Sequence, residues 1–148
     1  MKSVIQRVDR ARVNVEDTVI SEIGRGFLVF LGIEKGDLYT DADYLLEKII
    51  NLRIFEDTEG KMNISLMDIM GDILIVSQFT LCADCMKGRR PSFINAEKPE
   101  KAKILYEYFI DKAKERLSRV CTGEFQAMMK IELINDGPVT MLLDSRRV

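Results

Sequence analysis

Gly71 to Phe93, GDILIVSQFTLCADCMKGRRPSF, passes from an apolar run to a polar cluster and then to a basic loop. Asp72-Ile-Leu-Ile-Val76 is short, rich in β-branched residues and opens after a glycine. It predicts a strand covered on both faces, because a strand with one wet face would alternate apolar and polar residues. The end of that strand releases Ser77, Gln78 and Thr80 around Phe79. Hydroxyls and an amide delivered by a rigid strand end are well placed for a site, and equally able to satisfy backbone groups locally. Lys87, Arg89 and Arg90 follow on a loop punctuated by Gly88 and Pro91. Three cations there make either a solvated turn or a seat for a phosphate-bearing ligand.

Composition limits the second option. With 22 Lys+Arg against 24 Asp+Glu in 148 residues, the chain lacks the global positive field of a non-specific nucleic-acid coater, so any polyanion must be met locally. The length fits one domain whose core needs neither disulfides nor metals. No apolar run approaches the roughly 18 residues of a membrane span. Charges at Arg7, Asp9, Arg10 and Arg12 interrupt the N-terminus as a signal peptide, so the expected compartment is cytoplasmic.

Histidine is absent, which removes every Ser-His or Cys-His nucleophile pair and every histidine metal ligand. An enzyme built on this chain moves protons through carboxylates, lysines, water or the substrate itself. Cys82-Ala-Asp-Cys85 has the spacing of a redox or zinc pair. A thioredoxin-type motif belongs at a helix N-terminus, however, and a zinc site would need a carboxylate to complete it.

Residues 3–8 and 11–15 (SVIQRV, ARVNV) alternate apolar and polar around Asp9-Arg10, which predicts a hairpin with one wet face. Arg7 within it either snorkels to solvent or reaches across to orient a polar site. Phe27-Leu-Val-Phe-Leu31 predicts a second strand buried on both faces. Ala42, Leu45, Leu46, Ile49 and Ile50 recur at the helical period, giving a core-facing helix over 40–53 with Thr40 and Asp43 as its capping pair. Pro99 opens a second helix, with Ala102, Leu105, Tyr106, Phe109, Ala113 and Leu117 on one face, ending near Arg119. Strands near 124–134 and 139–143 close the chain, and Asn135-Asp-Gly-Pro138 between them reads as a hairpin turn. The same tetrapeptide offers a backbone bare of side chain at Gly137 and a Gly-Pro bond able to be cis, which would present its carbonyls as acceptors in an unusual direction.

Ser77-Gln-Phe-Thr-Leu81 together with Asn135-Asp-Gly-Pro-Val-Thr140 resembles the D-aminoacyl-tRNA deacylases. The likeness runs from VIQRV (4–8) through NLRIFED (51–57) and KGRRPSF (87–93) to the end of the chain. It implies an α/β fold, a three-layer β/β/α sandwich of mixed sheets with two main helices in a single domain. It also implies a homodimer whose SQFT strand end, Ser77, Gln78, Phe79 and Thr80, faces Gly137 and Pro138 of a second copy, with Arg7 and Asn135 beside them. The Gly-Pro carbonyls would receive the substrate's α-amino group and leave no space for an L side chain, while achiral glycine passes. Phe125 and Met129 match positions near the terminal adenine, and Lys87, Arg89 and Arg90 suit the acceptor-end phosphates. The implied partners are the acceptor end of aminoacyl-tRNA and a second copy of the chain, with neither DNA nor a membrane; no cofactor and no metal are implied.

The activity implied is hydrolysis of the D-aminoacyl ester, either with Thr80 as nucleophile or with the terminal 2′-hydroxyl assisting while backbone amides of Phe79 and Thr80 hold the carbonyl oxygen. No residue adjacent in sequence is placed to deprotonate Thr80, which favours the second route. Two positions depart from the family pattern: Gln126 stands where glycine is expected, and Cys82 where tyrosine is usual. A non-catalytic module binding RNA 3′ ends is the alternative.

Overall fold

The computed structural model describes residues 1–146. Its first strand, β1, runs without a break from Lys2 to Val15, where a hairpin around Asp9-Arg10 was expected. The two charged residues instead form a bulge. Against the last strand, β8 (Met129–Asp144), Val8 lies opposite Asn135 and Arg10 opposite Ile134, so one residue of β1 is unmatched. An extra residue in a ladder of period two exchanges the faces beyond it. Ile5 points to one core cluster and Val8, by the ordinary pleat, to the other; the bulge puts Ala11 and Val13 on the side of Val8 and not of Ile5.

β2 (Thr18–Ile23) and β3 (Gly26–Gly32) pair with successive halves of one edge of β1, and β8 pairs along its other edge. Helix α1 (Tyr39–Asn51) and a small ladder of β4 (Phe55–Glu56) and β5 (Met62–Ile64) then lead to β6 (Asp72–Ser77), which lies parallel to β3. Helix α2 (Pro99–Arg116) carries the chain across to β7 (Val120–Thr122), parallel to β6. Parallel neighbours need such crossovers, and the two helices supply them on one face of the sheet.

The other face is covered by the sheet itself. Phe27, Val29, Leu31, Ile73 and Ile75 pack with Leu45, Ile49, Leu105 and Phe109 of the helices. Leu28, Leu74 and Val76 pack instead with Val8, Ala11, Val13 and Ile23 from the curled β1–β2 part. This gives the expected β/β/α layering, with both β layers drawn from one continuous six-stranded mixed sheet. Ile73, Leu74, Ile75 and Val76 are all fully buried, which is why their run shows no alternation. Each contributes about 1.5–3 kcal/mol by leaving water.

Ala42, Leu45, Leu46, Ile49 and Ile50 are the buried face of α1, as their spacing predicts. Its cap differs from expectation: the Asp41 carboxylate accepts from the Leu38 amide at 2.8 Å, and the Thr40/Asp43 pair does not form the cap. α2 starts on Pro99 and ends at Arg116, short of Arg119. The two expected C-terminal strands are one, and residues 124–128 precede it as a turn. No helix among the described residues is long and apolar enough to cross a membrane.

Candidate active site

At the end of β6 the backbone tightens into a 3-10 turn over Phe79–Cys82. The Gln78 amide donates to the Leu31 carbonyl at 2.8 Å, tying the turn to the neighbouring strand end. The turn's first internal bond runs from the Leu81 amide to the Gln78 carbonyl, 3.2 Å. The amides of Phe79 and Thr80 precede that bond, and a helical first turn leaves such groups without an internal acceptor. Gly32 lets the turn sit this low: a Cβ there would lie 2.9 Å from Leu81 Cβ and 3.0 Å from the Gln78 carbonyl oxygen. The Gln78 side-chain amide donates to Thr80 Oγ1.

These residues form one wall of a cavity of about 740 Å³. Ser77, Gln78, Phe79 and Thr80 are brought together there with Phe125 and Met129. Phe125 stands against Tyr106, with ring centroids 5.7 Å apart, and the Tyr106 hydroxyl donates to the Ile75 carbonyl at 2.8 Å. Burial drives the Tyr106 hydroxyl far above the usual phenol range, so it is a fixed neutral donor. Phe93, Glu97 and Ala102 also line the cavity, and the sequence reading assigns none of them to the site. Phe93 and Glu97 are marked only by their place between the basic loop and the second helix, and Ala102 lies in the first turns of that helix.

Gln126 lines the same cavity with φ of 65°, in the left-handed region that favours glycine. The expected glycine at this position thus has a backbone reason, and the departure adds a side chain to the cavity wall.

Arg7, Asn135, Gly137 and Pro138 form a second cluster and do not line that cavity. Two steps along β1, from Gln6 to Val8, are matched by five along β8, from Thr140 back to Asn135, so the tetrapeptide bulges out of a continuous strand and is not a hairpin turn. Arg7 is buried beneath it. Its Nε donates to the Asp136 carbonyl at 3.0 Å and lies 2.8 Å from the Asp136 carboxylate, and Nη1 donates to the Ile54 carbonyl. Asn135 Nδ2 closes the base of the bulge by donating to the carbonyls of Arg7 (2.9 Å) and Val139 (3.1 Å). The Gly137–Pro138 peptide is cis, and both residues are exposed.

Lys87, Arg89 and Arg90 are exposed on a loop closed at its base by two bonds between Asp84 and Ser92, of 2.8 and 2.9 Å. None of the three lines the cavity.

The family model for D-Tyr-tRNA(Tyr) deacylase matches residues 4–144. The chain belongs to that deacylase family. It is 66% identical over its full length to a D-aminoacyl-tRNA deacylase of Syntrophus aciditrophicus, covering 99% of that protein. It is 58% identical over its full length to another from Thermosipho melanesiensis, again covering 99% of it. Among solved structures it resembles one described as c-Myc DNA Unwinding Element Binding Protein, at TM-score 0.93 and 42% identity, covering 97% of this chain and 98% of that one. A probable eukaryotic D-amino acid tRNA deacylase shares the fold at TM-score 0.81 and 20% identity, covering 96% and 97%.

In this deacylase-family chain the CxxC spacing forms no disulfide: Cys82 is buried and Cys85 exposed, both as free thiols. Burial, with Glu34 nearby, pushes the Cys82 thiol up to about 11. Cys82 is the last residue of the 3-10 turn, and its buried side chain packs with Sγ 3.5 Å from the Ile33 carbonyl.

Proposed function

We propose that the cavity beneath Phe79 and Thr80 hydrolyses the ester joining a D-amino acid, or glycine, to the 3′ end of tRNA, and spares the L enantiomers. The coarse activity, D-aminoacyl-tRNA deacylation by a hydrolase, follows from family membership. The observation that carries the finer reading is the pair of first-turn amides, Phe79 and Thr80, at the mouth of a cavity with an aromatic and thioether wall.

The ester carbonyl oxygen sits against those amides, which stabilise the negative charge it gains as water attacks the carbonyl carbon. The bond to the ribose oxygen then breaks, the proton lost by water returns to that oxygen, and the neighbouring 2′-hydroxyl assists the transfer. Thr80 does not act as nucleophile in this scheme, since its oxygen accepts from the Gln78 amide, a group with no basicity to activate it. Ser77 borders the same strand end. The terminal adenine lies along Phe125 and Met129, and Lys87, Arg89 and Arg90 meet phosphates.

A second copy completes the site. Leu142, Val4 and Phe30 are register neighbours across three strands on the face away from the helices; Leu142 is 79% exposed, Val4 and Phe30 are half-buried, and the row ends at Val76, which lies in the core. Such a row suits the same row of another copy. The bulge, exposed and unused by its own cavity, then presents the carbonyls of Gly137 and Pro138 to the substrate's α-ammonium and closes the space an L side chain needs. The enzyme acts in the cytoplasm, where charged tRNA is used.

Incubation of the pure protein with D-tyrosyl-, L-tyrosyl- and glycyl-tRNA tests the reading. The D and glycyl esters are expected to be cleaved and the L ester spared; equal rates on both enantiomers, or none, overturn it. Duplex DNA added as competitor should not slow turnover, although a 42% identical protein is described as DNA-binding.

A further inference from the structure

Phe93 adds a side-chain link between the basic loop and the Phe79–Thr80 turn, beside the backbone that runs from Cys82 through Ala83 to Asp84. It lines the cavity, and its ring stands edge-on to Phe79 at 5.1 Å between centroids and 65° between planes. It also follows Ser92 directly, at the base of the loop that carries Lys87, Arg89 and Arg90.

The segment around Phe93 is held to the end of β3 on its far side. Lys35 donates its amide to the Asn95 carbonyl at 2.9 Å, and Glu97 donates to the Ile33 carbonyl at 3.0 Å. The Ala96 amide donates to the Phe93 carbonyl at 3.0 Å, fixing the backbone that bears the ring. Between these ties and the Asp84–Ser92 bridge, Phe93 sits where the loop meets the scaffold. Phe79, its ring partner, is 57% exposed and carries one of the two amides assigned to the ester oxygen. A half-exposed ring has little else to hold it, and an edge-on aromatic contact fixes both distance and tilt.

We propose that Phe93 is a positioning residue: it couples phosphate engagement by the basic loop to the placement of the Phe79–Thr80 turn. The coupling rests on the deacylase reading of the cavity given above. Acceptor-end phosphates drawn to Lys87, Arg89 and Arg90 set the loop base, the loop base sets the Phe93 ring, and the ring holds Phe79 so that its amide meets the carbonyl oxygen. The three cations thereby raise the rate of the bound complex as well as its affinity, without touching the ester.

The test is a cycle of variants measured by single-turnover deacylation of D-tyrosyl-tRNA at saturating enzyme. Phe93→Ala should lower the saturated rate by about 10- to 100-fold, up to the loss that misplacing one catalytic donor causes, with affinity for uncharged tRNA changed less than about threefold. Phe93→Tyr, which keeps the ring, should restore the rate to within about threefold. Replacing Lys87, Arg89 and Arg90 together by Ala should weaken tRNA binding and lower the saturated rate in the parent chain. In the Phe93→Ala background the same triple replacement should weaken binding without lowering the saturated rate further, because coupled residues are not additive. Additive rate losses, an unchanged Phe93→Ala rate, or a Phe93→Tyr as slow as Phe93→Ala would each overturn the coupling. If the alanine variant does not fold, Phe93→Leu enters the same cycle. A parent chain inactive on every D-aminoacyl-tRNA overturns the underlying reading instead, which keeps the two failures apart.

Discussion

Arg7 holds Asp136 through both main chain and side chain, its Nε lying 3.0 Å from the carbonyl oxygen and 2.8 Å from the carboxylate. The guanidinium is nearly fully buried while Asp136 is about one-third exposed, so the pair is neither a free surface bridge nor a wholly desolvated one. Arg7→Ala removes the anchor of the bulge and leaves the Ile54 carbonyl without its donor. A loss of about 2–3 kcal/mol is expected, below that of a fully buried pair, read as a lower urea midpoint at unchanged slope. Arg7→Lys keeps the charge but not the planar fork, and should recover less than half of that loss. An unchanged midpoint for Arg7→Ala would show that the bulge stands without its anchor.

Gly137 has room for a side chain only at the expense of Asn135. An added Cβ would lie 2.9 Å from Asn135 Oδ1, and the amide nitrogen of the same side chain bonds the carbonyls of Arg7 and Val139. Gly137→Ala should therefore shift the bulge with a stability loss of about 1 kcal/mol. Its effect on catalysis should be larger, with the ratio of D- to L-tyrosyl-tRNA hydrolysis, or the KM for the D ester, altered by about tenfold. Kinetics unchanged on both enantiomers would remove the bulge from the substrate's surroundings.

The parts of this fold legible beforehand are those whose burial leaves a local trace. Ile73–Val76 and Phe27–Leu31 are covered on both faces, and the faces of the two helices recur at the helical period. Asp9-Arg10 and Asn135–Pro138 read as turns in the sequence and fold as bulges, because a bulge and a hairpin use the same polar and glycine residues. What separates them is a partner strand more than 100 residues away. The SQFT strand end and Phe125 were legible as motif, whereas Phe93 and Glu97 reach the cavity from an irregular crossover that has no period to reveal it.

Cys82 gives a prediction in pH. Its thiol is held up to about 11 by burial and by Glu34, so the fold favours the neutral form. That preference stabilises the fold fully below the ordinary thiol range and is lost as pH rises through about 11. At about pH 8 the buried thiol is not a thiolate, and iodoacetamide should modify exposed Cys85 while sparing Cys82 until the protein is unfolded. Peptide mass spectrometry reads the outcome, and alkylation of native Cys82 as fast as Cys85 would contradict it.

The two routes to hydrolysis differ in what they ask of Thr80 and Gly32. If the amides carry the reaction, the Thr80 hydroxyl contributes only the bond it accepts from Gln78, and Thr80→Ala should keep the single-turnover rate within about threefold. Gly32→Ala touches no substrate atom in either route, yet its methyl group would press on Leu81 Cβ, the Gln78 carbonyl and Cys82 Sγ, at 2.9, 3.0 and 3.2 Å. Backbone and a packed side chain give way less easily than a free chain end, so the 3-10 turn should move outward, at about 1–3 kcal/mol in stability. Displaced amides should lower the rate by about 10- to 100-fold, a larger loss than removing the hydroxyl itself. The opposite order, with Thr80→Ala inactive while folded and binding tRNA, and Gly32→Ala near parental, would return the chemistry to the side chain.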